Sequence, residues 1–162
     1  VEVPDAPSLD PDYITVIVIF MLEYPATAYQ ALLCKRLRDT AKQYGFFSPS
    51  SGRQSHFAIS IGDTWYATDN TPELDYGKWY CLAGTFDGTK LRLYLNGELV
   101  SEKDVAGTID KTSEPLVLGW NRDWGIYFHG RIAFAQIYNR ALTPREIRAN
   151  YDYFFSHLNG EV

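Results

Sequence analysis

Eight consecutive residues, Trp120-Asn121-Arg122-Asp123-Trp124-Gly125-Ile126-Tyr127, gather two indoles, a phenol, an amide, a guanidinium and a carboxylate. Flat aromatic faces stack on the C–H surfaces of sugar rings, and planar amide, carboxylate and guanidinium groups hydrogen-bond sugar hydroxyls, so this mixture is suited to holding a carbohydrate. Trp120, Asn121, Arg122, Asp123, Trp124 and Tyr127 are the first candidate ligand residues, on a segment expected to be a loop. The alternative is packing, with Trp120 ending a strand in the core and Trp124 plugging one end of the fold. Trp65 and Tyr66, in Asp63-Thr64-Trp65-Tyr66 and close to Asp69-Asn70, form a second candidate set.

Catalytic patterns are weaker. Glu73-Leu74-Asp75 has the i, i+2 spacing that sets two carboxylates on one face of a strand, and retaining glycoside hydrolysis needs such a pair about 5–5.5 Å apart. Here the triplet lies between Pro72 and Gly77 in a turn-rich stretch with no third acid close behind, which reads as a solvated loop. His56, His129 and His157 are far apart and form neither HxH nor HExxH, so no zinc site is expected. Cys34 and Cys81 fall in separate expected strands and read as two buried free thiols; a bridge would need their Cα atoms within about 7 Å. With no Gly-rich phosphate loop and no GxSxG elbow, the residues argue for binding and against an enzyme.

The elements that position these residues are short strands. Trp79 to Gly97 spells a meander: Asp87-Gly88 and Asn96-Gly97 are turn pairs, and Leu91, Leu93 and Leu95 alternate with Arg92 and Tyr94. Tyr13 to Leu22 is β-branched and apolar on both faces, so it must be covered twice. Further strands are expected over Tyr29 to Leu37, Gly45 to Phe47, His56 to Ile61, Thr64 to Thr68, Leu116 to Gly119 and Tyr127 to Tyr138. The first ten residues, with Pro4 and Pro7, read as an extended lead-in. One helix is well signed: Thr143-Pro144-Arg145-Glu146 is a capping box with Pro at the first helical position, and Ile147, Tyr151, Phe154, Phe155 and Leu158 follow on one face. About ten strands and one late helix predict an all-β, two-sheet antiparallel jelly-roll sandwich with one short C-terminal helix.

Composition narrows the partners. The chain has 162 residues, consistent with a single domain over 1–162, and a net charge of −5 that repels phosphate backbones, so no nucleic acid is expected. The basic run Lys35-Arg36-Leu37-Arg38 reads as a solvated strand end. The longest apolar run, Ile14 to Leu22, falls far short of the roughly twenty residues a membrane span needs. Opening on Val1, the sequence reads as a module of a larger protein.

Trp79 to Gly97, Leu116-Val117-Leu118-Gly119, and Phe128-His129-Gly130-Arg131-Ile132 leading into Ile137-Tyr138-Asn139-Arg140-Ala141-Leu142-Thr143-Pro144-Arg145-Glu146-Ile147 resemble the laminin G-like and pentraxin-like branch of the concanavalin A-like lectin/glucanase superfamily. Upstream, Pro7 to Met21 is similar to the family's opening strand. The resemblance implies an extracellular or surface-displayed, lectin-like module for a glycan or glycoprotein, and calcium as a cofactor. Asp10, Asp69, Asn70 and Asp123 are the residues whose oxygens could hold it. One departure stands out. Members commonly carry an acidic pair after the Gly-x-Ile of the penultimate strand, where this chain has Ala133-Phe134-Ala135, so that surface is expected to be covered. The rival reading is a structural or adhesive module of a virion, tail fibre or cell surface. It would bind other protein chains through the apolar sheet face around Ile17, Ile19 and Phe134 or through the C-terminal helix.

Overall fold

The computed structural model describes residues 1–25, 29–37, 41–49, 53–121 and 125–158, and at 121, 157 and 158 the backbone alone. Its strands, in chain order, are β1 (Glu2–Val3), β2 (Ile14–Leu22), β3 (Gln30–Leu37), β4 (Ala41–Ser48), β5 (His56–Ile61), β6 (Thr64–Ala67), β7 (Trp79–Phe86), β8 (Lys90–Leu95), β9 (Glu98–Asp104), β10 (Leu116–Leu118), β11 (Trp120–Asn121), β12 (Ile126–Tyr127) and β13 (Gly130–Tyr138), followed by the helix α1 (Pro144–Leu158). A six-stranded sheet runs β1-β10-β3-β4-β5-β6 and a five-stranded sheet runs β13-β2-β7-β8-β9, with antiparallel pairing throughout. This is the expected jelly-roll sandwich.

Alternation along the strands builds the layers. Val16, Val18, Phe20 and Leu22 of β2 point between the sheets, where they meet Leu82, Phe86, Leu91 and Leu93 of the meander and Leu33, Tyr44, Phe46, Phe57 and Ile59 of the opposite sheet. The sheets approach so closely at Gly84 that a Cβ there would overlap the Phe57 ring. Ile17 and Ile19, on the other face of β2, are covered by α1 through Ile147, Tyr151, Phe154 and Phe155, and Phe134 joins the same cluster. The double burial expected of Tyr13 to Leu22 is thus met within the chain over Ile14–Leu22, while Tyr13 stays exposed, and the surface left apolar by Ala133-Phe134-Ala135 carries the helix.

Local chemistry fixes the turns and the helix start. Asn96 and Gly97 both have positive φ, 52° and 81°, as a two-residue hairpin turn requires. Glu146 N–H donates to Thr143 Oγ1 at 3.3 Å while Thr143 N–H donates to Glu146 Oε2 at 2.8 Å, completing the capping box. Arg140 grips the same carboxylate with two bonds of 3.0 and 2.6 Å.

Five expectations need correction. Residues 1–10 are more than a lead-in: β1 pairs with β10, and Pro7–Leu9 forms a 3-10 turn. Trp120 to Tyr127 is no simple loop, because β11 and β12 pair as a hairpin with Trp120 opposite Tyr127. Tyr127 to Tyr138 is broken into β12 and β13, and Gly45 to Phe47 is the middle of an eight-residue strand. The basic run is also no solvated strand end. Lys35 is buried on the inner face at the rim and Arg36 lies on the outer face, since neighbours on a strand point opposite ways; Arg38 lies outside the described residues.

Candidate functional site

While α1 covers the outer face of one sheet, the outer face of the other carries a hollow. On β3 to β6 the outward set is Ala31, Cys34, Phe47 and Ala58, with Tyr29, Trp65 and Ala67 packed around them. Tyr29, Arg36, Phe47, His56, Ala58, Trp65 and Ala67 line a recess of about 340 Å³. Ala58 and Ala67 sit opposite each other in the register, so the floor there is made of methyl groups and lets a ligand approach the backbone. Tyr29 and Phe47 stack with centroids 5.9 Å apart, and Trp65 meets Phe47 edge to face at 5.8 Å. The Arg36 guanidinium lies 5.5 Å from the Phe47 ring centre and 5.6 Å from that of Trp65, close enough for cation–π attraction to both.

The polar wall is a relay. Tyr29 O–H donates to His56 Nε2 at 3.0 Å, and His56 Nδ1–H donates to Asn70 Oδ1 at 3.0 Å, an arrangement that calls for a neutral ring protonated on Nδ1. Burial lowers the His56 pKa, the bond to Asn70 opposes that shift, and the nearby Lys103 charge adds to it. Burial likewise raises the Tyr29 pKa, against a lowering by Arg36. The recess therefore offers flat rings, a guanidinium and a phenol oxygen already giving its proton away.

The candidate residues divide. Trp65 is in the recess, but Tyr66 points to the opposite face of β6 and is exposed. Trp120 and Tyr127 stack nearly parallel, 6.0 Å apart at 13°, with Tyr127 65% exposed, so the hairpin presents one flat ring to solvent. The Trp120 Nε1 atom is buried and has no acceptor among the described residues. β11 lies against β3, the strand that starts beside Tyr29. Arg122, Asp123 and Trp124 lie outside the described residues, as does the side chain of Asn121. Sequence reasoning missed Tyr29, Arg36, Phe47 and His56. The usable signal was that β3 to β6 carry apolar or aromatic residues on both faces while the chain supplies one helix, enough to cover one sheet.

The oxygens expected to hold calcium are committed elsewhere. Asp10 Oδ1 faces the Lys35 ammonium at 2.9 Å, Asp69 Oδ1 faces Lys103 at 2.8 Å, and Asn70 Oδ1 accepts from His56; Asp123 lies outside the described residues. Among the described residues, no group of three or more His, Cys, Asp and Glu side chains is arranged to hold a metal ion. As they are placed, Asp10, Asp69 and Asn70 form no calcium site. Glu73 pairs with Arg53 at 3.0 Å and Asp75 with Lys78 at 2.6 Å on the surface. Cys34 and Cys81 are buried in different sheets and are not joined by a disulfide. No described helix is long and apolar enough to cross a membrane.

Two curved antiparallel sheets, one backed by a helix and the other bearing an aromatic recess, define a concanavalin A-like sandwich. The chain belongs to the laminin G family of the Concanavalin A-like lectin/glucanases superfamily, whose profile matches residues 1–148. No curated protein sequence matches it. Among solved structures it is similar to the CBM40 domain of a Ruminococcus gnavus IT-sialidase bound to α2,3-sialyllactose (18% identity, TM-score 0.71, 88% of this chain and 83% of that one). It is also similar to the binding domain of botulinum neurotoxin DC in complex with SialylT (11%, TM-score 0.68, 93% and 38%) and to the heptameric SAP-like pentraxin of Limulus polyphemus (15%, TM-score 0.64, 91% and 70%). The chain spans well under half of the neurotoxin chain.

Proposed function

We propose that this domain is a non-catalytic carbohydrate-binding module of a secreted or surface protein, and that a sugar ring seats in the recess of the six-stranded sheet. The aromatic recess itself carries the reading: Trp65 and Tyr29 supply faces for sugar C–H groups, the buried Phe47 ring holds both in place from beneath, Ala58 and Ala67 form a floor, and Arg36 and Tyr29 are hydrogen-bonding groups for hydroxyls. The exposed Tyr127 ring, stacked on Trp120 beside β3, extends the contact to a further sugar unit. Because α1 of the same chain already covers Ile17, Ile19 and Phe134, the rival module that packs against protein would have to use the outer side of that helix, where Tyr153 is exposed.

Sialyllactose, the ligand of the R. gnavus domain, is the natural first probe because Arg36 sets a guanidinium in the recess. A glycan array followed by calorimetry on the best binder tests the reading. Trp65→Ala and Phe47→Ala, each verified folded by circular dichroism, are expected to weaken binding at least tenfold, about 1.4 kcal/mol. Tyr127→Ala should weaken long glycans more than single sugars. Failure of the native domain to bind any arrayed glycan would end the carbohydrate reading; native-like binding by both recess variants would end the assignment of the site.

A further inference from the structure

The misfit between calcium and the acidic residues has a constructive side at Lys35. Its side chain is wholly buried, and its ammonium donates to Asp5 Oδ1 at 2.8 Å, Asp10 Oδ1 at 2.9 Å and the Thr112 carbonyl at 2.5 Å. An ammonium has three N–H donors, and all three are spent on oxygen. Around them Gln43 Nε2 donates to Asp10 Oδ1 and to the Leu9 carbonyl, Tyr44 O–H donates to that same carbonyl, and Thr112 Oγ1 donates to Gln43 Oε1. Oxygens from the N-terminal segment and the 112 loop thus converge on one point inside the rim, and a cation occupies it. Two carboxylates face a single positive charge there, so the cage as built is one negative charge in excess. The Tyr44 phenol, whose pKa is raised by burial and then by Asp10 and Asp5, feels the same surplus.

We propose that the cage of Asp5, Asp10 and the Thr112 carbonyl is a cation site whose resident cation is the Lys35 ammonium, so that the domain holds its N-terminal segment without metal and the cage accepts a divalent cation when the ammonium is removed. Hard cations take six to eight oxygens at 2.3–2.6 Å, including mono- or bidentate carboxylates, carbonyls and water. The cage offers two carboxylates and a carbonyl already at 2.5–2.9 Å from a common centre, and a doubly charged ion balances it where Lys35 leaves an excess. Alternation explains why the chain can do this. Lys35 pairs with Tyr44 and Leu116 in the register, so its stem runs along the inner face toward the rim, whereas Arg36 is turned outward to the recess.

Thermal unfolding of the native domain and of Lys35→Ala and Lys35→Met, in EDTA and in millimolar calcium chloride, tests the inference without using any glycan. The native Tm is expected to stay the same within about 1 °C in the two solutions. The Tm of Lys35→Ala should fall in EDTA and rise by about 5–10 °C once calcium exceeds its Kd about a hundredfold. Lys35→Met, which keeps the buried stem, guards against simple cavity damage and should show the same rise; adding Asp10→Asn should abolish it in either variant. A native Tm that drops in EDTA overturns metal independence. Variants insensitive to calcium, including variants that stay unfolded with and without it, overturn the cage.

Discussion

His56 is the side chain in the wall of the recess that titrates nearest neutral pH, and its neighbours set the sign of a pH effect. Facing it are the Tyr29 hydroxyl, Asn70 and, farther off, the Lys103 ammonium. Its pKa is lowered from 6.5, chiefly by burial, so between the lowered value and 6.5 the native state binds fewer protons than the unfolded chain. The stability contributed by the neutral ring is complete above pH 6.5 and is lost as pH falls through the lowered value. Protonation also removes the acceptor that orients Tyr29. Denaturant midpoints and glycan affinity are therefore both expected to decline on acidification from 6.5, and His56→Gln should flatten that part of each profile; parallel profiles for native and variant protein would refute the relay. At this scale Trp65 was legible because an indole beside polar residues stands out in any sequence. Phe47 and Arg36 were not, because Phe47 reads as core and Arg36 sits in a basic tetrapeptide whose members strand alternation sends to opposite faces.

Elements whose signals are local are legible in the sequence itself. The capping box at Thr143 and Glu146 is written in four residues, and its geometry supports a specific cost: Thr143→Ala should lose about 1 kcal/mol of stability by chemical denaturation. The Arg140 guanidinium first, then the Thr143 hydrogen bonds, hold the Glu146 pKa at about 2, below its usual 4.5. This contribution is present above pH 4.5 and fades as pH falls through 2, and Glu146→Gln should remove that part of the acid dependence. Gly84 carries a different expectation. A methyl group there overlaps the Phe57 ring, so Gly84→Ala should cost about 1–3 kcal/mol by forcing the sheets apart, and an unchanged denaturation midpoint would show that they can part freely. Elements made by distant pairing escaped the sequence. The two-residue strand at Glu2–Val3 exists only because Val117 and Leu116 lie opposite it, and the Trp120–Tyr127 hairpin is too short for periodicity to mark.

The whole molecule gives one outer sheet face to a helix and leaves a recess on the other, and α1 makes the division. Without the helix, Ile17, Ile19, Ala83 and Tyr94 would form an apolar face on the solvent side of the five-stranded sheet, a surface prone to self-association. Cys81 lies in that cluster beneath the helix, and burial pushes its thiol pKa up to about 12, so in the full chain it should resist thiol-specific reagents at neutral pH. Helix docking can then be read at one atom. Phe154→Ala with Phe155→Ala, or a chain ending at Leu142, should speed labelling of Cys81 by an aromatic disulfide reagent at least tenfold, identified by peptide mass, with a parallel rise in apparent mass on gel filtration. Cys34 lies on the other sheet and serves as the internal reference, since its labelling rate should not change while the sandwich stays folded. Equal acceleration at both cysteines would mean that the sandwich unfolds with the helix; acceleration at Cys81 alone means that α1 is a cover laid on a sandwich that stays folded without it.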